Sequence, residues 1–296
     1  LTLTVKETPI LGRLSISKLA VNSTAGTETP EAGASFEVFL KSAGSYDAAA
    51  ESERDILTCG ENGTAQSKLL PYGVYIVRQL SGWKGYALDA TLHEVNITSD
   101  GETVSLPLRN EIYKGSLTIQ KIDKDSGQAL PGARFRLLDS TGNPFAKGTT
   151  DENGILFFEN IPFGDYYLEE LEAPDGYKAD TTPYVFSIDA DGRKIEIRRE
   201  NTRIPGSVTV VKTDSSGNPI PGAAFRLEYS KDGETWTPVF HNGTPAKEIG
   251  GCTSESLSDG TLITGDDGIA IFDGLRADKN VRYRITEIAT VNGYVL

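Results

Sequence analysis

Short runs of alternating apolar and polar residues recur along the chain and predict β-strands. In GSLTIQKID at 115–123, Leu117, Ile119 and Lys121 share one face while Thr118 and Gln120 take the other, because successive strand side chains point to opposite sides. The runs are rich in Val, Ile, Thr, Tyr and Phe. Turn signals separate them, such as Asp-Ser-Gly (125–127), Glu-Asn-Gly (152–154) and Asp-Asp-Gly (266–268), in which glycine and short polar side chains favour tight reversals. About seven short strands between frequent turns predict an all-β fold of immunoglobulin-like antiparallel sandwiches. Helix should be scarce, and the Ala- and Glu-rich stretch from Tyr46 to Arg54 is the best candidate for a helical insertion.

One series of phrases occurs three times. The second copy reads GSLTIQKID (115–123), LPGARFRLLD (130–139), ENGILFF (152–158), GDYYLEELEAPDGY (164–177) and KIEIRREN (194–201). Copy one answers with GRLSISK (12–18), EAGASFEVFL (31–40), ENGTAQ (61–66), GVYIVRQLSGWKGY (73–86) and VSLPLRN (104–110). In copy three the phrases are GSVTVVK (206–212), IPGAAFRLEY (220–229), DDGIAIF (266–272) and VRYRITEIATVNGY (281–294). The spacing from Lys18 to Lys121 to Lys212 is domain-sized, so tandem domains are expected and not solenoid turns. The expected boundaries are 10–113, 114–204 and 205–296, with 1–9 as the final strand of a preceding domain and the third domain short of its own last strand. Linkers from Glu111 to Lys114 and from Thr202 to Pro205 are short, which predicts a string of domains with limited bending.

Strand alternation puts certain polar residues on the apolar face. Lys121 follows Leu117 and Ile119, Lys18 follows Leu14 and Ile16, and Lys212 follows Val208 and Val210. Tyr166 and Leu168 turn Glu170 inward, and Tyr283 and Ile285 do the same for Glu287. Near the end of each full copy, Val104, Leu106 and Leu108 carry Asn110 inward, and Ile195 and Ile197 point less cleanly to Asn201 because Arg199 intervenes. Burying a lysine, a carboxyl and a carboxamide costs several kcal/mol unless they satisfy one another. Two arrangements meet that demand. One is a buried Lys–Glu ion pair hydrogen-bonded to Asn; the other is chemical. An apolar site lowers a lysine pKa and raises a glutamate pKa, giving a neutral amine beside a proton donor. Held against a carboxamide, that pair can form an amide and release ammonia.

These phrases resemble the Cna B-type (SpaA-like, prealbumin-like) repeat domains of Gram-positive surface adhesins and pilins. The most specific part is the box YxLxExxAPxGY, met at Tyr166, Leu168, Glu170, Ala173, Pro174, Gly176 and Tyr177. The resemblance runs from about Gly12 to Leu296 and implies an intramolecular Lys–Asn isopeptide bond in copy two, with Lys121 as the amine, Glu170 as the catalytic acid/base and Asn201 as the acceptor. Copy one keeps Lys18 and Asn110 as a possible isopeptide pair but has Gln79 where the box has Glu, and a carboxamide exchanges no proton at ordinary pH. Copy three has Lys212 and the equivalent Glu287 but stops before its Asn, leaving Lys212 unpaired in this chain. The resemblance also implies a stalk segment of an adhesin or pilus, anchored in the wall of a Gram-positive cell. Its partners would be neighbouring domains of the same surface protein and a host protein or glycan. Self-modification would be its one chemical act. Two rivals stand beside this: a host-ligand-binding module, and accessory domains of a secreted enzyme.

Composition narrows the rest. Forty-two acids against 29 bases give a net charge of −13, which repels nucleic acid and anionic membranes. No apolar stretch approaches the roughly 18–20 residues that span a bilayer. Two His, two Cys and no Met leave little material for a metal site or a nucleophile–base pair, so no cofactor and no conventional enzyme is expected. Cys59 and Cys252 fall in different copies, which argues against an internal disulfide. Asp123, Asp125 and Gly127 echo a calcium loop, but Arg134 stands at its twelfth position, and a plain turn is expected. His93 and His241 have no partner at ligand spacing, and Trp236 with the 231–260 insertion of copy three is the least repetitive region.

Overall fold

A computed structural model describes Leu3 and residues 5–241, 244–245, 261–277 and 280–295. The described chain is built of strands, with single 3₁₀ turns in place of α-helix. By compactness it divides into two units. One is Leu1–Leu117 with Phe158–Tyr166 and Phe186–Ile195; the other is Thr118–Phe157 with Tyr167–Val185 and Glu196–Leu296. Repeat one lies in the first unit, repeat three in the second, and repeat two contributes residues to both.

Repeat one contains β1 (Leu11–Asn22), β2 (Thr27–Pro30), β3 (Ser35–Leu40), β4 (Arg54–Thr58), β5 (Thr64–Gln66), β6 (Leu70–Pro71), β7 (Gly73–Ser81), β8 (His93–Ile97) and β9 (Thr103–Glu111). One sheet is centred on β1, which pairs with β2, β5, β6 and β9; the other runs β4-β3-β7-β8. The first and last strands, β1 and β9, pair in parallel, with Lys18 opposite Leu108 and Ala20 opposite Asn110. Between the sheets lies a core of Leu14, Ile16, Phe36, Val38, Tyr75 and Val77, all but free of water. Buried apolar side chains of this size contribute about 1.5–3 kcal/mol each.

Repeat two contains β10 (Lys114–Asp123), β11 (Arg134–Asp139), β12 (Pro144–Thr149), β13 (Ile155–Pro162), β14 (Gly164–Glu172), β15 (Tyr177–Lys178), β16 (Tyr184–Ile188) and β17 (Arg193–Arg203). Its sheets run β13-β10-β17-β15 and β12-β11-β14-β16, so the first and last long strands are again neighbours. Repeat three contains β18 (Pro205–Val211), β19 (Ala224–Ser230), β20 (Thr237–Pro238), β21 (Phe240–His241), β22 (Thr244–Pro245), β23 (Thr261–Ile263), β24 (Ile269–Arg276) and β25 (Arg282–Ala289). Here β19 pairs with β20, β23 and β25, while β18 pairs among the described residues with β24 alone.

The expected helix at Tyr46–Arg54 does not form. Residues 46–48 make a turn, Glu51–Glu53 a single 3₁₀ turn, and Arg54 already begins β4. A nine-residue segment is too short to offset helix nucleation by propensity alone. Tertiary contacts decide instead: the Arg54 guanidinium donates to the carbonyls of Tyr46 and Asp47, and Ala49 is buried with Phe39 and Ile76.

The Asn-Gly and Asp-Gly turns have a role beyond reversal. Gly63, Gly154 and Gly268 adopt φ of 71°, 72° and 72°. Their carbonyls accept the backbone N–H of Lys18, Lys121 and Lys212 at 2.7–2.8 Å. A Cβ at these glycines would come within 2.4–2.5 Å of the carbonyl oxygen of the same lysines. The three turns therefore clamp the chain at the lysine on or just after each first strand. Gly142 has a similar φ of 85° but open space around it, so it isolates the cost of the left-handed backbone, about 1–2 kcal/mol for a side chain. Gly154→Ala is expected to lower the melting temperature clearly more than Gly142→Ala. Equal losses would contradict the clamp.

Candidate functional site

In repeat two alternation delivers three polar side chains to one buried spot. Lys121 is as inaccessible as Leu117 and Ile119 before it, and Glu170 and Asn201 are also buried. Lys121 Nζ donates to Glu170 Oε2 at 2.9 Å, and Asn201 Nδ2 donates to Glu170 Oε1 at 2.6 Å. One carboxyl thus bridges the amine and the carboxamide. The Asp180 N–H also donates to Oε2 at 3.0 Å and fixes its orientation. Asn201 Oδ1 has no partner, and the Phe135 ring lies 5.6 Å from Nζ. Burial pushes the Lys121 ammonium below its ordinary pKa, and the hydrogen bond and charge of Glu170 oppose that shift. Such a lysine is closer to the neutral, nucleophilic form than a surface one.

Repeat one brings its pair together differently. Lys18 Nζ donates directly to Asn110 Oδ1 at 2.6 Å, both groups being buried. Gln79 is buried too, but its hydrogen bonds go elsewhere; its Oε1 accepts from Asp89 N and its Nε2 donates to Ser81 O, each at 3.1 Å. Burial lowers the Lys18 pKa, opposed first by the charge of Glu31 and then by that of Asp89. Repeat three holds a Lys212–Glu287 ion pair at 2.7 Å, with about a fifth of each side chain exposed. No described carboxamide joins it, and Glu287 Oε1 has no partner.

The remaining candidates resolve in physical terms. Cys59 is a free, buried thiol in the repeat-one core, and burial pushes its pKa up; Cys252 lies outside the described residues. His93 Nε2 meets Asp89 Oδ2 at 2.6 Å, and the side chain of His241 lies outside the described residues. The Arg284 guanidinium stacks on Trp236 at 4.5 Å, and residues 246–260 of the neighbouring insertion also fall outside the description. Asp123 forms the expected turn, its Oδ1 accepting from the backbone of Asp125 and Ser126.

Sequence pattern passed over one buried cluster. Asp123 Oδ2 also accepts from Tyr177 OH at 2.7 Å and from the Arg203 guanidinium. Asp123 lies two residues beyond Lys121 and so on the same inward face; that parity was the available signal.

Repeats one and two each pair two sheets around a buried lysine on the first strand and a buried asparagine near the end of the last, which defines a class of tandem β-sandwich. The SpaA prealbumin-like fold domain matches residues 14–112, 115–203 and 206–296. The chain belongs to that family, as three tandem domains. It is 27% identical over 167 residues to a collagen adhesin of Staphylococcus aureus, covering 52% of this chain and 13% of that protein. It is 32% identical over 73 residues to the trypsin-resistant surface T6 protein of Streptococcus pyogenes, covering 25% and 14%. The Bacillus anthracis TIE protein aligns in structure over 97% of this chain and 46% of its own, with 28% identity and a TM-score of 0.74. The chain thus spans a small part of the curated relatives it matches.

Burial alone would raise the Asp123 carboxyl pKa, but the Ser126 N–H, the Arg203 guanidinium and the Tyr177 hydroxyl hold it well below the usual range. A depressed folded-state pKa contributes stability that is complete above the unfolded value, near pH 4, and is lost as pH falls below it. Asp123→Ala would leave Arg203 buried without its counter-ion and is expected to cost about 3–5 kcal/mol at pH 7. Denaturant melts at pH 7 and pH 3 should then show a flatter acid dependence than the parent. An unchanged slope would contradict this assignment.

Proposed function

We propose that the chain is a stalk segment of a Gram-positive cell-surface adhesin or pilus protein, in which domain two cross-links itself through a Lys121–Asn201 isopeptide bond. The single observation that carries the proposal is the bridging of Lys121 Nζ and Asn201 Nδ2 by the two oxygens of one buried carboxyl, at 2.9 and 2.6 Å. A buried Lys–Glu ion pair hydrogen-bonded to Asn makes the same two contacts, and the loss of ammonia separates the two readings. The arrangement suits a proton shuttle, because the group that takes a proton from the attacking amine already holds the leaving nitrogen.

The step balances without a cofactor. Neutral Lys121 Nζ attacks Asn201 Cγ, Glu170 relays the amine proton to Nδ2, the Cγ–Nδ2 bond breaks, and ammonia leaves with Glu170 restored. Closing a loop from residue 121 to residue 201 would remove chain entropy from the unfolded state, worth about 4–5 kcal/mol by the argument applied to disulfides. The mechanical gain is larger. A force entering at the start of β10 and leaving at the end of β17 would pass through the amide, and the chain between those two residues would carry none of it. That suits a load-bearing stalk whose partners are neighbouring domains of the same surface protein, and the family membership and the adhesin and surface-protein relatives support the same setting.

Peptide mapping by tandem mass spectrometry is expected to recover a Lys121–Asn201 linked peptide, lighter than its parts by one ammonia. Glu170→Ala should return it as two unlinked peptides of full mass. Unlinked peptides from the parent chain would contradict the proposal and leave a buried ion pair.

A further inference from the structure

Repeat one holds the two ends of the same reaction but lacks the box carboxyl. Gln79 reproduces one contact of Glu170: its Oε1 accepts from Asp89 N at 3.1 Å, as Glu170 Oε2 accepts from Asp180 N at 3.0 Å. Its other terminal atom is a donor, which cannot receive the asparagine N–H. Asn110 Nδ2 is accordingly left buried with no acceptor.

A second group in the same repeat has the complementary deficit. Glu31 is fully buried; its Oε1 accepts from Trp83 N at 2.6 Å, and its Oε2 accepts from nothing. A buried carboxylate oxygen without a donor is costly and needs a reason. In the aligned phrases Glu31 stands where repeat two has Leu130 and repeat three has Ile220, both buried. Repeat one has therefore exchanged two inward residues: a carboxamide replaces the carboxyl, and a carboxyl replaces an aliphatic chain.

The backbone pairs Glu31 with Lys18. Glu31 N donates to Lys18 O at 3.0 Å, as Leu130 N and Ile220 N donate to Lys121 O and Lys212 O at 2.9 Å. A Cβ on Gly82 would lie 2.5 Å from Glu31 Oε1 and 3.0 Å from Gln79 Nε2, so the carboxyl and the substituted box residue border the same small space. Glu31 is also the acidic group whose charge acts most strongly on Lys18. The next, Asp89, is engaged by His93 Nε2 at 2.6 Å and by Thr91 N at 2.9 Å. Although burial raises the Asp89 pKa, the contacts from Thr91 and His93 bring it down to about 2, which suits a fixed anion better than a proton carrier.

We propose that Glu31 is the acid–base group of repeat one and takes over the role vacated at Gln79, so that Lys18 and Asn110 also form an amide. This rests on the functional reading above, that such bonds form in this chain. Lys18 Nζ bonds to Asn110 Cγ, the amine proton passes through Glu31 to Nδ2, the Cγ–Nδ2 bond breaks and ammonia departs. Glu31 ends as it began, and no oxidant or cofactor is needed.

Tandem mass spectrometry of the full chain separates the cases. The parent is expected to carry both the Lys18–Asn110 and the Lys121–Asn201 links, two ammonia short of its computed mass. Glu31→Gln should keep only the Lys121–Asn201 link, and Glu170→Gln only the Lys18–Asn110 link. The double variant Glu31→Leu/Gln79→Glu copies the arrangement of repeat two and should regain the first link, which distinguishes lost chemistry from a damaged fold. A Lys18–Asn110 link that survives in Glu31→Gln overturns the proposal. So does its absence from the parent while Lys121–Asn201 is linked, or from a folded double variant. Absence of both links from the parent refutes the functional reading itself, and this proposal with it.

Discussion

A lysine buried on the first strand is the constraint on which the rest of repeats one and two depends. Taking an ammonium out of water costs several kcal/mol even after relaxation, and Lys18 and Lys121 are completely inaccessible. Everything near them answers that cost. Gly63 and Gly154 clamp the lysine backbone, the last strand brings an asparagine, and a carboxyl or carboxamide oxygen receives the Nζ protons. In repeat three the described residues supply only the carboxyl, and the Lys212–Glu287 pair keeps partial contact with water. The same lysine is a burden as an ion and an asset as a nucleophile. Burial disfavours the charged form, and an amide at that position would remove the ionisable group altogether.

Sandwich topology would turn the proposed cross-link into a mechanical property. In repeat one β1 and β9 lie side by side and parallel, so hydrogen bonds between them would be loaded in shear when the chain is pulled at its ends. Each such bond is worth only about 0.5–1.5 kcal/mol net. The proposed covalent tie between those strands would not yield until a bond breaks.

Much of this was legible in the sequence because strand alternation is a strict rule. The parity of Leu117, Ile119 and Lys121, and of Tyr166, Leu168 and Glu170, predicts burial that the structure contains. Asn201 was harder, since Arg199 sits two residues before it, yet it too is buried. The helix expected near Tyr46 shows the limit of propensity, which a guanidinium holding two carbonyls overrode. Asp123 obeyed the same parity as Lys121, but its turn chemistry suggested a surface loop. Glu31 was the least visible. It follows β2 outside any alternating run, and its inward orientation comes from a backbone bond to Lys18 O and from Trp83 N, two long-range contacts that no local pattern encodes.

The state of the Lys121–Asn201 pair in the folded protein decides between a cross-linked and an ion-paired repeat two. A crystal structure at atomic resolution tests it most directly. Continuous density between Lys121 Nζ and Asn201 Cγ at an amide bond length, about 1.33 Å, with no density for Nδ2, is the predicted result. Two separate side chains at non-bonded distance, with the carboxamide nitrogen still in place, would contradict it.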